Sequence, residues 1–148
     1  MAKVRTVMVA SDFSPASRAA FARAVELAKA NRARLLVMHA LTLVSAMLDG
    51  EYIPPQTWDR MEAASRAEAR KQIEALVARA KRAGVRAAGL VVVGSPYEVI
   101  VRAARSKGAD VLVLGTRGRS GLPRFFLGSV AARVLATAPC PVLTVRGR

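Results

Sequence analysis

Two short stretches of this chain carry residue types that could handle a charged small molecule. Residues 115 to 129 read Gly-Thr-Arg-Gly-Arg-Ser-Gly-Leu-Pro-Arg-Phe-Phe-Leu-Gly-Ser, and residues 11 to 14 read Ser-Asp-Phe-Ser. The first stretch follows an apolar run, Val111 to Leu114, and opens onto a helix-like segment from Val130. Glycines let backbone N–H groups approach an anion, and a helix N-terminus adds unpaired donors with partial positive charge. This is the construction of a phosphate cradle, and the expected ligand is a nucleotide, ATP in the first place. Asp12 adds an acceptor suited to a ribose hydroxyl or an adenine amino group, and Ser129 adds a hydroxyl at the start of a helix, where it could equally be a plain N-cap. Arg117, Arg119 and Arg124 could neutralise a triphosphate or simply be solvated charge. Phe125 and Phe126 are expected to anchor the loop on the core rather than to stack on bases.

Other chemistries find little support. His39 is the only histidine and Cys140 the only cysteine. Histidine-based acid–base pairs, zinc clusters and intramolecular disulfides are therefore excluded. Cys140, set between two prolines, is read as a small buried hydrophobe, and His39 as a satisfied core or rim residue without catalytic work. One carboxylate and one serine do not specify a metal site, so magnesium is expected only as part of a complex with ATP. The net charge of +14 raises nucleic acid as a partner, but 19 arginines and 5 lysines are scattered over almost every segment. That dispersal argues against a nucleic-acid footprint, while leaving salt-sensitive stickiness. Apolar runs are too short to cross a bilayer and no charged-then-apolar leader opens the sequence, so a cytoplasmic location is expected.

The elements that must position these residues alternate strand and helix five times, which predicts one α/β domain over residues 1–148, an open three-layer sandwich around a parallel sheet. Short apolar runs at Val4–Ala10, Arg34–Ala40, Arg86–Val93, Val111–Leu114 and Val142–Val145 read as strands, and the first lacks strict alternation, as expected when both sheet faces are covered. Ser14-Pro15 starts a helix whose inner face is Ala20, Phe21, Ala24, Val25 and Ala28. Residues 41 to 57 read as a loop. A long helix from about Trp58 to Ala83 carries Trp58, Met61, Ile73, Leu76, Val77 and Ala80 near one face, and Gly84 ends it. Ser95-Pro96-Tyr97-Glu98 reads as a capping box before a helix buried through Tyr97, Ile100, Val101 and Ala104. The last helix, from Gly128-Ser129 to Ala136, is expected to turn Val130, Val134 and Leu135 inward. Sheets of this kind bind ligands at the carboxyl ends of the strands, where strand order reverses. If the first strand lies beside the fourth there, the turn at Ser11–Ser14 and the glycine loop open onto one crevice.

Two familiar phosphate signatures, GxxxxGK[ST] and GxGxxG, are absent. What remains is Gly115-x2-Gly118-x9-Gly128-Ser129, with a strand before it and a helix after it. In that context it resembles the ATP-binding motif of the universal stress protein family. The resemblance runs from end to end: Val7 to Ser14, Leu36 to Ala40, Gly108 to Gly115, Leu127 to Arg133 and Ala138 to Leu143 match blocks of that family in order. It implies a Rossmann-like sheet ordered 3-2-1-4-5, a homodimer, and bound ATP without firmly established turnover. Carried over by position, Asp12, with Ala10 and Ser11 leading into it, would lie beside the adenosine. Ala40 would offer backbone groups to the adenine. Gly115, Gly118, Gly128 and Ser129 would surround the phosphates, with Thr116 and Arg117 inside the loop and Val130 continuing the helix-end contact. Ala40 stands where a larger aliphatic residue is common, and Phe13 where glycine is frequent. The short apolar strand Val142–Val145 is expected at a sheet edge, pairing with its twin in a dimer read by other proteins. Slow ATP hydrolysis on the same site is the main alternative activity.

Overall fold

The structure, a computed structural model, describes residues 3–43, 47–48, 51–117 and 127–147. Its main sheet contains β1 (Thr6–Ala10), β2 (Arg34–Leu41), β5 (Ala87–Val93), β6 (Val111–Gly115) and β7 (Val142–Val145), all parallel, in the order β5-β2-β1-β6-β7. Counted along the main sheet this is 3-2-1-4-5, as the resemblance implied. The order reverses at β1, which pairs with β2 on one side and β6 on the other. Residues 41 to 57 are more than a loop, because Met47–Leu48 (β3) and Glu51–Tyr52 (β4) form a small antiparallel ladder there.

Among the described residues four helices cover the two faces: α1 (Pro15–Asn31), α2 (Pro55–Arg82), α3 (Pro96–Ser106) and α4 (Ser129–Thr137). Alternate strand residues point to opposite faces. Val7, Val9, Leu35, Val37 and Val113 pack with Phe21, Ala24 and Ala28 of α1 and Ile73 and Ala80 of α2. Met8, Leu36, Met38, Leu112 and Leu114 pack with Val99, Ile100, Ala103 and Ala104 of α3 and Ala131 and Val134 of α4. Each fully buried aliphatic side chain contributes about 1.5–3 kcal/mol. The small residues on the helices let them lie close to the strands, which fixes where the helix ends fall relative to the strand ends.

Several local expectations change. The first half of α2 has no buried residue: Trp58 is only half-buried and Met61 is 43% exposed. The helix starts at Pro55 and runs for 28 residues. It is therefore roughly 42 Å long against roughly 23 Å for a strand like β5, so it overshoots the sheet. In α4, Val134 is buried but Leu135 is 44% exposed, since the inner face is set by Ala131 and Val134 three residues apart. In α3 the buried stripe is Val99, Ile100, Ala103 and Ala104, with Tyr97 and Val101 only half-buried. Cys140 is half-buried at the margin of the second core rather than fully inside.

Candidate functional site

Three chain segments meet at the carboxyl ends of β1, β2 and β6. The ladder leaving β1 ends with the Ser11 N–H donating to the Met38 carbonyl at 2.8 Å. The chain then turns through two side-chain-to-backbone bonds: Phe13 N–H donates to Ser11 Oγ at 3.1 Å and Ser14 N–H to Asp12 Oδ1 at 2.9 Å. Ser14 in turn accepts from Ser17 N–H at 3.2 Å and caps α1, as its place before Pro15 predicts. Ser11 Oγ reaches Ser17 Oγ at 3.2 Å, and Ser17 Oγ donates to the Ser14 carbonyl at 2.9 Å. These hydroxyls are buried and mutually satisfied, so they hold the turn's shape. Phe13 sits at φ 64, the left-handed region, which explains why glycine suits this position.

On the other side, β6 runs into Gly115 and Thr116. A Cβ on Gly115 would lie 3.0 Å from the Ala16 carbonyl carbon and 3.2 Å from the Ala16 Cβ. A side chain there would press on the Ala16 backbone of α1, a packing reason for glycine that is separate from any ligand. The Thr116 N–H donates to the Val145 carbonyl at 2.9 Å, and the Gly128 N–H donates to the Thr116 carbonyl at 2.6 Å. That second bond joins the two arms of the loop. It also means that the amides of Thr116 and Gly128, expected to face a phosphate, are engaged within the protein. Gly128, not Ser129, is the N-cap of α4, and its backbone at φ −60 is open to any residue. Ser129 is the first helical residue, exposed, and α4 has no side-chain cap hydrogen bond. The first-turn N–H groups of a helix have no intrahelical acceptor, so the donors facing this space belong to Ser129 and the residues after it.

Ala10, Ser11, Asp12, Ala40, Gly115, Thr116, Arg117, Gly128, Ser129 and Val130 all line one cavity of about 290 Å³. Ten of the eleven residues expected at the site are thus brought together. The eleventh, Gly118, lies outside the described residues, as do Arg119, Gly121, Arg124, Phe125 and Phe126. Ser17, Pro96, Ile100, Leu114 and Ala131 also line the cavity and were not expected there. Pro96 and Ile100 come from the start of α3, whose expected capping box does not form. Ser95 stands at the N-cap without a side-chain cap bond, and Glu98 Oε1 instead accepts from Tyr97 Oη at 3.4 Å. The cavity lining therefore combines apolar residues, Ala10, Ala40, Pro96, Ile100 and Leu114, with the polar groups of Ser11, Asp12, Thr116, Arg117 and Ser129. That mixture suits a ligand with a flat base and an anionic group.

Asp12 is the one carboxylate among the described lining residues. Among the described residues no three His, Cys, Asp or Glu side chains gather to hold a metal. Cys140 offers no nucleophile: burial and the nearby Asp110 charge push its thiol above the usual range, against a smaller opposing bond from the Leu112 backbone.

The chain matches the universal stress protein family over residues 3–146. It belongs to that family. A universal stress protein of Thermus aquaticus is 37% identical over 142 residues, covering 96% of this chain and 98% of that one. In three dimensions the chain is similar to the hypothetical protein MJ0577, at a TM-score of 0.86 and 21% identity over 99% of both chains, which bears on the fold alone. It is also similar to a universal stress protein solved in complex with cAMP, with a TM-score of 0.68 and 30% identity over 99% of this chain and 100% of that one. A family member from Arabidopsis thaliana with AMP bound gives a TM-score of 0.69 and 25% identity over 97% and 92% of the two chains. Members of the family thus bind adenine nucleotides. Among the described residues no helix is long and apolar enough to cross a membrane.

Proposed function

We propose that this chain binds an adenine nucleotide, ATP foremost, in the crevice between the β1 turn and the start of α4, and acts as a nucleotide-dependent stress-response module. The observation that carries this reading is the gathering of Asp12, Ala40, Gly115, Arg117, Ser129 and Val130 around one cavity at the strand-order reversal. The adenine fits the apolar part of the lining, with Ala40 leaving a wide slot. Asp12 accepts from the ribose or the amino group. The phosphates take the first-turn amides of α4, the Ser129 hydroxyl and the Arg117 guanidinium, with magnesium carried on the phosphates rather than by a protein cage. The cAMP and AMP complexes of relatives support the adenosine half of this assignment, and the helix N-terminus supports the anionic half.

The lining supports binding rather than turnover. Hydrolysis needs a group to orient an attacking water, and Asp12, the one carboxylate among the described lining residues, is assigned here to the ribose or the amino group. The signal is carried by a dimer surface. β7 is a sheet edge, and Leu143 on it is 42% exposed, so a second copy can extend the sheet there. The cytoplasm, where millimolar ATP is present, is the matching compartment.

The test is a thermal-shift titration of ligand-stripped protein with ATP and Mg²⁺. Micromolar affinity predicts stabilisation of about 4 kcal/mol at a thousandfold excess over Kd. A flat titration refutes the reading. Phosphate release above background at high protein concentration would replace the binding module with a slow ATPase.

A further inference from the structure

The chain's one histidine lies beside the crevice without lining it, and its two neighbours bracket Asp12. His39 Nδ1 is 2.7 Å from the Ser11 carbonyl oxygen. A carbonyl oxygen only accepts, so Nδ1 carries the proton and donates to it. The same ring stacks on Phe13, with centroids 4.5 Å apart and planes 27° from parallel. One imidazole therefore holds the carbonyl before Asp12 and the side chain after it.

One of those held groups, Phe13, has a reason to move. Phe13 is in the left-handed region at φ 64, where a residue bearing a Cβ is strained. A turn that includes such a residue relaxes unless its surroundings over-determine it. The Phe13 N–H bond to Ser11 Oγ, packing against the first core and the stack on His39 restrain it. Asp12, between them, is the residue whose carboxylate lines the cavity.

We propose that His39 is the positioning residue of the nucleotide site: it clamps the Ser11–Phe13 turn from both sides and so aims the Asp12 carboxylate at the ligand. This inference rests on the nucleotide reading above. It departs from the expectation that the histidine only fills the rim of the core. His39 touches no ligand and acts through Asp12. A ring that merely filled space would give up stability on substitution and leave the role of Asp12 unchanged.

A double-substitution cycle on the ligand-stripped full chain separates these outcomes, with ATP and Mg²⁺ affinity read by titration calorimetry and folding by thermal midpoint. His39→Phe keeps a ring for the stack and removes the donor, and should weaken binding about fivefold, the worth of one hydrogen bond. His39→Asn keeps a donor near the Nδ1 position but gives up the stack, so its affinity should fall less than that of His39→Phe even if its melting point falls further. In the Asp12→Ala background, His39→Phe should produce no further loss, because nothing remains to be aimed. If His39→Phe fails to fold, His39→Gln carries the same test, since its longer amide moves the donor away from Ser11. Wild-type-like affinity in the donor-less variant, or losses that multiply in the double variant, overturns the positioning role while leaving the nucleotide reading intact. No ATP binding by the wild type removes the nucleotide reading, and this inference with it.

Discussion

The two ends of the sheet treat their polar groups in opposite ways. At the amino end, where α1, α2 and α3 finish, helix closure is complete. The Ala33, Val85 and Ala109 amides reach back to the carbonyls of Ala28, Ala80 and Ala104, with Arg32, Gly84 and Gly108 taking the left-handed residue. Asp110 accepts from the Arg5 and Thr6 amides at 2.8 and 2.9 Å, and Arg34 bonds Thr6 Oγ1 and the Lys107 carbonyl, both at 2.9 Å. At the carboxyl end, α1 alone of the helices at the crevice has a side-chain cap, while α3 and α4 begin without one. One end uses its polar groups to close the fold. The other leaves the uncapped start of α4 at a cavity, and under the proposed function that is the end that takes a ligand.

The largest break in that contrast comes from Ser129→Glu. A carboxylate at the first residue of α4 complements the helix dipole and should raise stability by about 0.3–1 kcal/mol. The same charge stands where phosphates would sit, and like charges a few ångströms apart near a surface cost about 2 kcal/mol or more, so ATP affinity should fall about 30-fold or further. Stability and affinity moving in opposite directions is the signature, read by denaturant titration beside calorimetry. Parallel losses would mean that this helix start is part of the fold's closure and not a ligand site.

Much of this contrast is legible in the amino-acid sequence. Apolar runs and the helix stops at Gly84 and Gly108 locate the sheet, and ten of the site positions sit at strand ends or a helix start, where local sequence is informative. The parts that escape such a reading are non-local. Ser17, Pro96 and Ile100 reach the cavity only because α1 and α3 dock where they do. The Thr116 amide is engaged by Val145, which is distant in sequence, so the loop reads as a freer donor set than it is. Ser95 and Glu98 have capping-box spacing, but spacing shows only that the bond is allowed. Phe13 hides a left-handed turn because the usual glycine signal is missing.

Asp110→Asn probes the closed end. Backbone bonds from Arg5 and then Thr6 hold the Asp110 carboxyl below the ordinary carboxylate range, with the Arg5 and Arg34 charges helping and partial burial opposing. Below that ordinary range the unfolded chain binds a proton that the folded chain does not, so stability rises with pH there. The contribution is complete above about pH 4 and is lost as the pH falls through the lower folded-state value. The asparagine variant should flatten this acid limb in denaturation series from about pH 5 to about pH 2, with ATP affinity at neutral pH unchanged. A change in affinity would couple the two ends, contrary to their division.

Arg32→Gly should have the smallest effect and the opposite sign on stability. Arg32 closes α1 at φ 53, a conformation glycine adopts without a Cβ penalty, and its side chain is exposed. Its backbone bonds to the end of α1 do not depend on the side chain, although Arg86 Nη2 also reaches the Arg32 carbonyl at 3.5 Å. Relief of the left-handed strain, about 1 kcal/mol, is offset in part by the greater freedom of glycine in the unfolded chain. The net gain should be about 0.5 kcal/mol, a rise in melting temperature of about 1–3 °C for a chain of this size, with no shift in nucleotide affinity. The same relief attempted at Phe13, the left-handed residue of the crevice end, should behave differently. Phe13→Gly removes the stack on His39 along with the strain, so its melting point should change little while ATP binding weakens. At the amino end a left-handed side chain is a cost the fold tolerates, whereas beside Asp12 it belongs to the geometry of the site.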